Sequence, residues 1–158
     1  ADTSNDTGGL FQVTSGTLNA GGSRFNNLGT VQVATGTVTI SSTTFNNAAT
    51  MRIAAGALIQ ISGTGTMTPS SILEVVLGGT LAREVGRISS SGSLALDGIV
   101  KVHLSGGFVP SLGDEFAFLS YNARAGQFVG VDDADGTSGI GYDLAYGPID
   151  ATLRAVPG

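Results

Sequence analysis

The chain has 158 residues, 41% of them hydrophobic but only 12% charged, with 25 glycines, no cysteine and a formal net charge of −5. It is long enough for one domain with a sizeable core, and its charged share is about half the usual one. The acidic balance and the absence of any Lys/Arg run argue against nucleic acid or an anionic membrane as partner, and no apolar run reaches the length of a membrane span. Without cysteine, disulfides and thiolate metal sites are excluded.

In chain order, residues 1–10 read as a flexible segment. They carry one sizeable apolar side chain, Leu10, and a Gly8-Gly9 hinge, and Ala1-Asp2-Thr3 fits a mature end left by export. An internal repeat then begins. Phe11-Gln12-Val13-Thr14-Ser15-Gly16-Thr17-Leu18 returns 20 residues later as Val31-Gln32-Val33-Ala34-Thr35-Gly36-Thr37-Val38, and Phe25-Asn26-Asn27 returns as Phe45-Asn46-Asn47. A third unit opens at Met51-Arg52-Ile53 and needs a slip of one residue to bring Ile61 onto Ile40. A fixed period near 20 predicts a solenoid of stacked β-coils sharing one core. Alternation points Val31, Val33, Val38 and Ile40 inward and Gln32, Thr37 and Thr39 outward. Phe25 then stacks on Phe45, and Asn26/Asn46 or Asn27/Asn47 form an amide ladder at a turn, where asparagine accepts left-handed geometry. Between Thr7 and Leu73 the only charged residues are Arg24 and Arg52, as expected where like residues repeat about 4.8 Å apart and like charges would repel.

Further strands are predicted around Leu73–Leu77, Ile88, Leu94–Leu96 and Ile99–Leu104, the last entered through the turn dipeptide Asp97-Gly98, and at Phe116–Leu119. Ile140–Tyr146 and Ile149–Val156 flank Gly147-Pro148 as a hairpin. The predicted fold is therefore all-β: a right-handed parallel β-helix with coils over residues 11–105 and a β-rich C-terminal cap over 106–158. The Phe-Asn-Asn-x-x-Thr units, Leu94-Ala95-Leu96-Asp97-Gly98 running into Val100 and Val102, and Gly107-Phe108-Val109-Pro110-Ser111-Leu112-Gly113-Asp114 resemble bacterial exported β-solenoid surface proteins. These include autotransporter passengers, adhesins and proteins with a C-terminal sorting tail. The resemblance implies an extracellular, cell-surface location and a structural or adhesive role, with no shared catalytic site.

The candidate chemistry is sparse. Asp132, Asp133 and Asp135 suggest a calcium loop, but with Gly136 as its sixth residue positions one and twelve are Val131 and Tyr142, where carboxylates are needed. His103, the only histidine, reads as an exposed strand residue on the face of Ile99 and Lys101. Glu74, Glu84 and Asp97 are the acids available for glycoside cleavage, yet the chain has no Trp, and its three Tyr all follow residue 120. Thr35, Thr37 and Thr39 suggest an ice-binding array, but Ser15, Asn19, Ala55 and Ile59 break the grid. No catalytic residue, metal or cofactor is assigned. The expected function is a non-catalytic surface filament subunit or adhesin stalk whose partner is itself, end to end or by strand addition, or a neighbouring solenoid segment. The alternative is a carbohydrate-binding or polysaccharide-cleaving β-helix.

Overall fold

The computed structural model describes residues 3–5, 8–13, 16–19, 24–41, 43–136 and 139–158. Ala1, Asp2, Asp6, Thr7, Thr14 and Ser15, which enter the readings above, lie outside them. The described chain is all-β, and its one helical element is a 3-10 turn at Ala82–Glu84.

Three parallel stacks organise it. Sheet A holds β1 (Thr3–Asn5), β4 (Arg24–Asn27), β7 (Thr44–Asn47), β10 (Thr64–Met67), β13 (Ser93–Leu96) and β16 (Ala123–Gly126). Sheet B holds β2 (Leu10–Val13), β5 (Thr30–Val33), β8 (Thr50–Ile53), β11 (Ile72–Leu77), β14 (Ile99–Leu104) and β17 (Gly130–Asp133). Sheet C holds β3 (Gly16–Asn19), β6 (Thr37–Ser41), β9 (Leu58–Ile61), β12 (Arg87–Ser90) and β15 (Glu115–Ser120). It then continues through β19 (Asp150–Pro157) to β18 (Ile140–Tyr146). The chain visits A, B and C in that order in each coil, so strands β1 to β17 pair with strands one coil away.

Alternation decides which side chains fill the interior. Val31, Val33, Val38, Ile40, Phe45, Met51, Ile53, Ile59 and Ile61 are buried, whereas Gln32 and Thr39 are half-buried and Thr37 is exposed. Burying one such side chain contributes about 1.5–3 kcal/mol. No single coil encloses a core, so this term exists only once neighbouring coils stack.

The one-residue slip in the third unit has a local cause. Ile40 pairs with Ile61. The corner after β8 gains Ala57, buried and bonded through its N–H to the Ala54 carbonyl oxygen. Strand β9 is one residue shorter than β6, so Gly65 still falls on Phe45.

Three features differ from the sequence reading. Thr3–Asn5, inside the segment read as flexible, pairs with Phe25–Asn27 as the first strand of sheet A. In sheet C, Thr17 aligns with Thr39 rather than Thr37. A shift of two residues preserves the inward and outward faces, so hydrophobic patterning cannot detect it. Parallel pairing also passes the boundary set at residue 105, because β15, β16 and β17 pair in parallel with β12, β13 and β14. Only β19 runs against the stack, pairing antiparallel with both β15 and β18 and lying between them.

Candidate functional site

The inward column of sheet A runs Phe25, Phe45, Gly65, Leu94, Arg124. The Phe25 and Phe45 rings stack with centroids 5.6 Å apart and planes 14° from parallel. Gly65 leaves the space above Phe45 to Leu94, whose Cδ2 would stand 2.6 Å from a Cβ at position 65.

Beside this column the asparagines form two ladders rather than one. On the inside, Asn5 Nδ2 donates to Asn27 Oδ1 (2.9 Å), Asn27 Nδ2 to Asn47 Oδ1 (2.8 Å), and Asn47 Nδ2 to Ser71 Oγ (2.9 Å). On the outside, Asn46 Nδ2 donates to Asn26 Oδ1 at 3.0 Å. The ladders do not use left-handed backbone, since no non-glycine described residue has positive φ. The inner-ladder Asn27 and Asn47 are the last residues of extended strands, and Asn27 Oδ1 also accepts the Gly29 N–H across the corner. Their amides suit a stack because each carries a donor and an acceptor pointing opposite ways along the axis.

Charges are handled differently in the later coils. On the outer face of sheet B, Arg52, Glu74, Lys101 and Asp132 occupy one register column, so signs alternate from coil to coil. Arg52 lies 3.5 Å from Glu74, and the other Glu74 oxygen lies 3.5 Å from His103 Nε2. His103 Nδ1 faces Asp135 Oδ1, also at 3.5 Å, and Asp135 Oδ2 accepts the Leu104 N–H at 2.6 Å. His103 is therefore not the exposed strand histidine expected: it is on the predicted outer face, but its side chain is only 21% exposed and wedged between two acids. Nothing local in the sequence announces this contact, because Glu74 and Asp135 come from other coils.

The remaining acids do not converge. Asp132 and Asp133 alternate on β17, Asp133 Oδ1 accepts the Asp135 N–H, and Asp135 is turned back onto β14. Glu84 Oε1 accepts the Leu81 N–H in the corner between sheets B and C. Asp97 Oδ1 accepts the Gly98 N–H in the corner between sheets A and B. Among the described residues no group of three or more His, Asp or Glu is placed to hold a metal ion.

At the far end of the stack two inward columns turn polar. Arg124 ends the phenylalanine column, and Asp133 ends the column Val33, Ile53, Val75, Val102. Strand β18 lays Tyr142, Leu144 and Tyr146 against the core there. The Arg124 guanidinium stacks over the Tyr146 ring at 4.4 Å, and Tyr146 Oη accepts the Phe128 N–H. Tyr121 Oη lies 2.8 and 2.6 Å from the carbonyl oxygens of Gly147 and Asp150, which fixes the β18–β19 turn to β15. The tyrosines that weakened a sugar-platform reading thus serve this closure.

No protein-family model matches the chain, and neither does any curated protein.

Tyr142 gives a test of this end. Its hydroxyl is buried without a hydrogen-bond partner, and its pKa is pushed up from 10.0 to about 12, first by burial and then by the charges of Asp133 and Asp135. The unfolded chain releases this proton near 10 while the folded one holds it, so the folded state binds more protons between the two values. Stability contributed by the neutral phenol is present below pH 10 and is lost as pH rises toward about 12. Urea midpoints measured across that window should fall less steeply in Tyr142→Phe than in the parent. Below pH 10 the variant should match or exceed the parent, because no bond is lost with the hydroxyl. A parallel alkaline decline in both proteins would place Tyr142 in solvent.

Proposed function

We propose that the chain is a structural segment of a bacterial cell-surface protein, a right-handed parallel β-helix that acts as a stalk. Right-handedness is the expected hand, since a crossover between parallel strands of one sheet is right-handed in about 98% of cases. The observation that carries the function is continuity along the axis. The Phe25–Phe45 stack and the inner amide ladder bridge the early coils, and the aliphatic columns continue through the later ones, so a pull or bend at one end is resisted by strand pairing and packing along the stack. The low charge of the early coils and the sign-alternating column of the later ones are two ways of stacking side chains closely without repulsion.

Strands β18 and β19 then serve as the cap. The polar inward positions Arg124 and Asp133 support this, because another coil stacked there would bury both charges. That favours a stalk over a filament growing through this end, and self-association would use other surfaces. No carboxylate pair or nucleophile enters this reading. Negative-stain microscopy of the purified chain should show dispersed short rods at all concentrations. Long filaments whose repeat equals the length of one chain would overturn the stalk and restore end-to-end assembly.

A further inference from the structure

We propose that the outer face of sheet C holds an extended oligosaccharide that carries a carboxylate. Two hollows, of about 230 and 210 Å³, lie on this face and share Ser89. Their floor is a single register column running along the axis: Thr39, Gln60, Ser89, Ser120, Asp150. The 3-10 turn at Ala82–Glu84, inserted at the corner between sheets B and C, lends Ala82 to the lining. The column therefore offers hydroxyl, amide and carboxylate groups at successive steps of about 4.8 Å.

Arg87 indicates what would bind. It lines the larger hollow, and its Nε is buried with no hydrogen-bond partner. The Nε is closed to solvent and so to a ligand, but Arg87 is only half-buried and borders the hollow, where a carboxylate would pair with the terminal nitrogens of its guanidinium in a charge-assisted contact. Asp150, at the other end of the same hollow, repels a second carboxylate but accepts from a hydroxyl. The ligand thus needs an acid beside Arg87 and hydroxyls elsewhere.

An extended peptide advances about 3.3 Å per residue and falls out of step with the column. A nucleic acid needs clustered cations, which a chain of net charge −5 does not present here. A pyranose ring spans about one step and carries hydroxyls on its edges, so a uronic-acid-containing glycan meets each requirement. This inference rests on the sheet C surface and not on the stalk reading. Loss of binding would leave the rods expected in microscopy unaffected, and filaments there would leave binding unaffected.

The test is calorimetric titration of the purified chain with two probes, a 1,4-linked hexasaccharide of neutral hexose that carries a single uronic acid and the same hexasaccharide without it. The expected result is saturable binding of the uronate, at least about tenfold tighter than the neutral sugar. Arg87→Gln should remove that preference, and Ser89→Tyr, which places a ring where the hollows meet, should abolish binding while the circular dichroism spectrum and Tm are retained. If Ser89→Tyr does not fold, Ser120→Tyr blocks the same floor. No binding of either probe at about 1 mM, equal binding of both, or uronate binding indifferent to the blocking variant would each overturn the proposal.

Discussion

Replacing Phe45 with alanine is expected to destabilise the protein by about 3–5 kcal/mol, the range for truncating a fully buried phenylalanine. Phe45 is 0% exposed and stacks on Phe25. The space next to it is poorly placed to collapse. Position 65, above it, is a glycine already covered by Leu94, and Phe25 is held in its own coil by strand pairing to Thr3 and Phe45. The hole therefore persists, and its cost adds to the lost transfer energy. For a domain of total stability about 5–15 kcal/mol this is a large fraction. Urea unfolding followed by circular dichroism measures it, and a loss below about 1 kcal/mol would mean that the ring is not a core element.

The second large effect is expected at a corner. Gly98 has φ +76°, and a Cβ there would stand 2.2 Å from the Ser71 carbonyl oxygen and 2.9 Å from its carbon. Gly98→Val adds two costs. A left-handed conformation costs a β-branched residue at least about 1–2 kcal/mol, and forced overpacking typically costs about 1–3 kcal/mol. The clash is with backbone, so relief requires the coils to part where the Ile99 N–H bonds to the Ser71 carbonyl oxygen. Ser71 also ends the inner amide ladder by accepting from Asn47. We expect a loss of about 2–5 kcal/mol, with accelerated amide exchange at Ile99. Gly98→Ala should show a smaller loss of the same sign. A valine variant with parent-like stability and unchanged exchange at Ile99 would show that this corner is not a close approach.

The two variants probe different halves of one design. Phe45 reports on burial, which any stacked arrangement of these coils supplies. Gly98 reports on how closely successive coils approach at a corner, where the backbone leaves no room for a side chain. The insertions 78–86 and 105–114 fall at the corner between sheets B and C and leave strand spacing intact. Corners can lengthen because they face solvent, while strands cannot lengthen without leaving their register.

By itself the sequence determined the β-structure, the parallel stacking of repeated strands and the inside–outside assignment of the early coils. Val31, Val33, Val38 and Ile40 are inward because alternation is a local property with period two, visible in any four consecutive residues. Phe25 over Phe45 was readable for a similar reason, since a 20-residue repeat without insertions converts sequence distance directly into one coil. Only the tertiary structure decided the rest. The two-residue offset of Thr17 leaves every face unchanged, so no pattern records it. Leu94 follows Gly65 by 29 residues and Arg124 follows Leu94 by 30, and the corner insertions behind these spacings erase the repeat from the sequence while the strands still stack. The contact between Glu74 and His103 spans the insertion 78–86, and the burial of Arg87 Nε and the placement of β19 ahead of β18 have no counterpart in the earlier repeats. Side chains from different coils meet only after the backbone has stacked, and stacking is a property of the whole chain rather than of any segment.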